Sequence, residues 1–252
     1  MTAYAIAFIT FACTFGFALL GAYIRDRLPP PHLSKESQDV VRLGMGLVAT
    51  MTALLLGLVT AAARGTFDAQ DSAIRTSAAN ILTLDRHLAR FGPETASTRD
   101  LLRRAVAARL ESIWTNAQPL LDSASAPQTS PPVEEIENQI LDLSPATEAQ
   151  RWSKTEALRL SEDVVKARWR VLSAGRAVPP AFLAVVIFWL TVTFASFGLY
   201  APRNATVVSV LFIAAVSVAA AVFLILELDD PLEGVIKVSS APLRFTLDNL
   251  GH

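Results

Sequence analysis

From Leu43 to Arg64 the chain reads LGMGLVATMTALLLGLVTAAAR, an uncharged run that ends on an arginine. Its length, about 20 residues, is what an α-helix needs to cross the hydrocarbon core of a bilayer. The segment therefore predicts a membrane protein, with the rest of the chain as partner or support for this helix. On a helical wheel Gly46, Thr50, Ala53, Gly57 and Ala61 share one side with Leu54 and lead into Arg64, while Leu47, Leu55, Leu58 and Val59 cover much of the remainder. Lipid asks for neither glycine nor threonine. A stripe of them suits either close packing of helices or the wall of a water-filled path, and the residues alone leave both open.

The remaining composition fits a chain that is part bilayer and part water. Of 252 residues, 52% are hydrophobic, and the mean hydropathy of +0.40 is high for a soluble domain yet low for spans alone. Three further apolar runs predict spans at 3–24, 181–200 and 205–226, so that 1–64 and 181–226 each form a transmembrane hairpin. The first run carries its charges, Arg25 and Arg27, after the apolar stretch, whereas a signal peptide carries them before; a retained span is expected. A net charge of −1 gives no reason to expect nucleic acid as a partner. The lone Cys13 excludes an intrachain disulfide framework, and His32, His87 and His252 lack metal-ligand spacing.

Residues 65–180 predict a helical, water-exposed insert with no strand pattern. Ile74, Ala78, Ile81, Leu84, Leu88 and Phe91 recur three or four apart, so the second span is expected to run on as one long helix until Gly92-Pro93 breaks it. A helix through Leu102, Val106, Leu110 and Trp114 follows, then a loop of flexible composition at 123–132, a short helix from Val133 and a longer one ending near Gly175. Trp114, Trp152 and Trp169 are expected in the core or at a subunit interface. The fold class is all-α, with four spans, the helical insert between the second and third, and a tail at 227–252. Basic residues near the spans are more numerous on the side of the insert and the tail (Arg64, Arg75, Lys166, Arg168, Arg170, Arg176, Lys237, Arg244) than opposite (Arg25, Arg27, Lys35, Arg42, Arg203). The insert and termini are accordingly expected in the cytoplasm.

The tail opens on an acidic cluster, Glu227, Asp229, Asp230 and Glu233, at the negative end of the fourth span's macrodipole. Such carboxylates call for compensation: salt bridges to Arg64, Arg75, Arg168 or Arg170, a hard cation such as Ca²⁺, or plain solvation. No other cofactor is expected. Asp85-Arg86-His87 and Arg103-Arg104 read as a solvated helix face, and with no nucleophile arranged beside a base, no enzymatic activity is expected.

Three segments, LLLGLVTAAARGTFDAQ, LDRHLARFGPE and ELDDPLEG, together resemble the bestrophin-like family of bacterial membrane proteins. The resemblance covers most of the chain outside 123–132. It implies four spans with a helical soluble region between spans two and three. Through a remoter likeness to bestrophins it also implies an oligomer, with five copies by analogy, that conducts small anions in a bacterial plasma membrane and lines its pore with the second span. The aromatic neck of bestrophin pores has no counterpart here; leucine and threonine stand in its place. The acidic cluster is similar in position to the calcium-binding segment that follows the last span of animal bestrophins. With copies around an axis, Gly46, Thr50, Leu54, Gly57, Ala61 and Arg64 would face inward, Leu54 as an apolar constriction and Arg64 as a basic ring that favours anions. The alternative is a membrane-anchored scaffold or accessory subunit whose insert binds a protein partner.

Overall fold

The computed structural model describes residues 2–29, 34–114, 133–173, 177–202, 204–232 and 234–251. The described residues are helical: α1 (Ala3–Arg25), α2 (Lys35–Phe91), a 3₁₀ turn (Pro93–Thr95), α3 (Ala96–Trp114), α4 (Val133–Leu141), α5 (Glu148–Ser173), α6 (Pro180–Tyr200), α7 (Ala205–Asp229) and α8 (Ala241–Asn249). Four of them, α1, α2, α6 and α7, are long and apolar enough to cross a membrane. The expected run-on of the second span is met, since α2 continues unbroken for 57 residues. The chain divides into two compact units, Met1–Thr66 with Arg176–Asp230, and Phe67–Gly175 with Pro231–His252.

In the first unit α1 packs against both α6 and α7. Its buried residues, Thr10, Thr14, Ala18 and Gly21, are small and lie three or four apart, so they form one stripe. The threonine hydroxyls donate within the helix, Thr10 to the Ile6 carbonyl and Thr14 to the Thr10 carbonyl, both at 2.8 Å, so burying them leaves no donor unmet. Glycine lets the α1 and α6 backbones touch. A Cβ on Gly21 would lie 2.2 Å from the Ala195 carbonyl oxygen, and one on Gly198 would lie 1.8 Å from that of Ala18. Toward α7, Ala18 and Phe194 bury against Ala215, and Phe11 and Phe15 meet Phe212 edge to face at 5.6 and 5.4 Å. The Arg25 guanidinium donates to the Ala201 carbonyl at the end of α6. Asn204 caps α7 by accepting from the Val207 amide at 2.7 Å.

The second unit buries one apolar core. All six periodic residues of α2, from Ile74 to Phe91, are buried. Five of them, Ile74, Ala78, Ile81, Leu84 and Leu88, meet Leu101, Leu102 and Val106 of α3, Ile136 and Ile140 of α4, and Ala157, Leu160 and Val164 of α5. Gly92, at φ 142°, turns the chain where a side chain would be strained, and Thr95 locks the turn by donating to the Leu88 carbonyl at 2.6 Å. The tail contributes to this core as well. Leu232, Val238, Leu243 and Leu250 enter the same core. The Trp114 indole donates to the Val238 carbonyl at 2.9 Å, and Thr246 donates to the Ala78 carbonyl at 3.2 Å. The expected loop at 123–132 lies outside the described residues.

Candidate functional site

The membrane-length part of α2 is the least covered of the four apolar helices, with 11% of its most apolar window buried against 22 to 33% in the others. Its buried residues are Thr52, Val59 and Ala63. Val59 and Ala63 pack with Val178, which precedes α6, and with Ile225 of α7; Leu56 and Leu228 flank them. At 100° per residue the stripe of Gly46, Thr50, Leu54, Gly57, Ala61 and Arg64 lies roughly opposite that face. All six stripe residues are exposed, Leu54 at 75%. A Cβ added to Gly46 or Gly57 meets nothing within 4 Å. The contrast with α1 is direct: both helices carry a small-residue stripe, and only that of α1 is taken up by packing inside the chain. Thr50 donates its hydroxyl to the Gly46 carbonyl at 2.9 Å, and Arg64 is the one charged residue of the stripe.

The acidic cluster divides. Glu227 and Asp229 are buried at 3% and 5% exposure in the last turns of α7, Asp230 follows as its cap, and Glu233 lies outside the described residues. One Asp229 carboxylate oxygen, Oδ1, accepts the Ala177 amide at 2.9 Å and the Val178 amide at 3.2 Å. Val178 is buried, so its N–H needs an acceptor, and the Asp229 carboxylate supplies it. Compensation of Asp229 thus includes backbone amides, beyond the arginines, cation or solvent expected from the residue types. Among the described residues no group of three or more His, Cys, Asp or Glu side chains is arranged to hold a metal ion. The described part of the cluster does not fit a calcium centre: Glu227 and Asp229, two apart on a helix, project to different sides, and Asp229 already serves two amides.

In the second unit the presumed solvated face at 85–87 is largely buried, and that expectation is corrected. Asp85 is fully buried and takes a two-pronged ion pair from Arg99, at 2.7 and 3.0 Å, with the Gly251 amide at 3.4 Å. The carboxylate's hydrogen bond holds the Arg99 guanidinium above its ordinary value. His87, 7% exposed, sits edge-on to the Trp152 ring at 5.0 Å, and its Nδ1 makes no hydrogen bond. Burial pushes His87 down, and the Arg90 and Arg159 charges add to this against the pull of Glu156. Arg86, Arg103 and Arg104 are exposed, as expected. Burial, with the neighbouring Arg168 charge, pushes Arg109 down to about 10, still protonated at neutral pH. Trp152 and Trp169 are 57% and 62% exposed, so of the three insert tryptophans only Trp114 joins the core.

Four helices long and apolar enough to cross a membrane, one of them left uncovered along a stripe that ends in arginine, with a helical region between the second and third, mark an all-helical protein of the membrane type. The chain belongs to the bestrophin-like family: the model of the bestrophin-like domain matches residues 12–243. Comparison with curated proteins and with solved structures found no match.

Proposed function

We propose that this chain is one subunit of a homo-oligomeric channel for small anions in the bacterial inner membrane, with α2 lining the pore and the insert and termini in the cytoplasm. One observation carries the reading. The small-residue stripe of α2 is left uncovered by the chain along its whole length, and it leads into Arg64. A membrane helix with so little intrachain packing gains its contacts from lipid or from other copies, and a glycine and threonine face is poorly matched to lipid. Arranged about an axis, Leu54 narrows the path as an apolar ring that opens and closes by wetting, and Arg64 supplies the field that draws anions. Membership in the bestrophin-like family supports the same reading. No reaction chemistry enters it.

The test is flux in liposomes. Wild type passes chloride, and Arg64→Glu abolishes the anion preference or inverts it; unchanged selectivity removes Arg64 from the mechanism. A particle image with a ring of α2 helices around an open axis is the matching structural result, and a sealed centre refutes conduction. The second reading, a membrane-anchored scaffold, is favoured by Trp152 and Trp169 of the insert, two separate exposed aromatic side chains of the kind that anchor protein partners. A flux-free protein whose insert retains a partner would establish it.

A further inference from the structure

We propose that Asp229 is a positioning residue that fixes the wall behind the pore helix, an inference that rests on the assignment of α2 to the pore. The chain of contact is short and lies within the first unit. The Asp229 carboxylate at the end of α7 holds the amides of Ala177 and Val178. Val178, 5% exposed, is thereby set against Val59 and Ala63, two of the three buried residues of the membrane-length part of α2. Ile225 and Leu228 of α7 complete the same apolar cluster, so α7 reaches α2 both through their side chains and through the clasped segment. Pro179 and Pro180, which follow, carry no N–H of their own. The other packed residues on the face opposite the stripe are the partly buried Leu56, in the same cluster, and Thr52, about two turns from Val59. The clasp needs an acceptor oxygen at position 229 and does not need a negative charge. It therefore distinguishes Asp229→Asn, which keeps a carbonyl acceptor, from Asp229→Ala, which leaves two amides without one.

Two measurements on the full-length protein in its membrane test this. In a Cys13→Ala background, Val59→Cys and Val178→Cys are oxidised with copper phenanthroline and the rate of disulfide formation is followed. Asp229→Ala is expected to slow it roughly tenfold, the scale of a buried amide left without an acceptor, while Asp229→Asn stays near wild type. An unchanged rate in Asp229→Ala overturns the proposal, as does an equal loss in both variants. Should Asp229→Ala fail to fold, hydrogen exchange on the wild-type protein decides: the amides of Ala177 and Val178 are expected to exchange slowly, and exchange at free-peptide rates overturns the clasp. In liposomes Asp229→Ala is expected to lower flux without changing the anion preference, whereas a change in preference would assign Asp229 to the permeation path instead. If wild type carries no flux, the channel reading fails, while the cross-linking and exchange results still judge the clasp.

Discussion

Replacing Gly198 by alanine sets two effects of opposite sign against each other. Alanine favours the helix over glycine by about 1 kcal/mol. Against that, the new methyl would lie 1.8 Å from the Ala18 carbonyl oxygen and 2.7 Å from its carbon. An ordinary contact of this kind is about 3.3 Å, so α1 and α6 would have to part by roughly 1.5 Å at their closest point. The obstacle is backbone, which cannot swing aside as a flexible side chain would. The neighbouring contact of Gly21 with Ala195 would open with it, and so would the seating of Ala18 against Phe194 and Ala215. Overpacking of well-packed cores costs about 1 to 3 kcal/mol, and the rigid obstacle places this case at the upper end. The net expectation is a loss of about 2 kcal/mol, read as a lower midpoint in reversible unfolding by dodecyl sulfate in mixed micelles. Gly57→Ala is the control: with nothing within 4 Å of the added methyl, the protomer should be as stable as wild type or more so. A Gly198→Ala protein as stable as wild type would refute the close approach of α1 and α6.

Three further outcomes follow from the second unit. Arg99→Ala leaves the fully buried Asp85 without its guanidinium and should destabilise the protein by about 3 kcal/mol, seen as a lower thermal midpoint, with Arg99→Lys intermediate. His87 titrates below its ordinary 6.5 in the folded chain, so the unfolded chain takes up the proton first. Its contribution is fully present above about pH 6.5 and is lost as pH falls from there through the folded value; His87→Phe should flatten that part of a melting profile. Trp114→Phe removes the donor to the Val238 carbonyl, costs about 1 kcal/mol, and should speed amide exchange across 238–250.

The architecture was legible because bilayer crossing and helical cores leave strong periodic signals. The apolar lengths identified the four helices long enough to cross a membrane, α1, α6 and α7 to within a few residues, and the spacing from Ile74 to Leu88 identified the α2 face that the insert buries. What stayed hidden depends on contacts between residues far apart in sequence. Asp85 reads as a surface carboxylate until Gly92 folds α3 back and brings Arg99 onto it. The stripe of α1 is as plain in the sequence as that of α2. Which of them is covered is decided by Gly198 and Ala195, far along the chain. The segment after Pro231 carries too short an apolar pattern to announce that Leu232, Val238, Leu243 and Leu250 belong to the insert's core. Asp229 was singled out for its charge, and its partners proved to include two peptide groups that composition does not display.

The meeting of α1 with α6 also sets a timetable for biogenesis. Arg25 and Ala201, which close that contact, stand 176 residues apart. At a ribosomal pace of about 5 to 20 residues per second, a nascent chain waits roughly 10 to 35 seconds before the glycine face of its first helix finds a mate. During that interval the amino-terminal half is an orphan, open to chaperones and proteases, and a message truncated before Gly198 yields a polypeptide that never leaves that state.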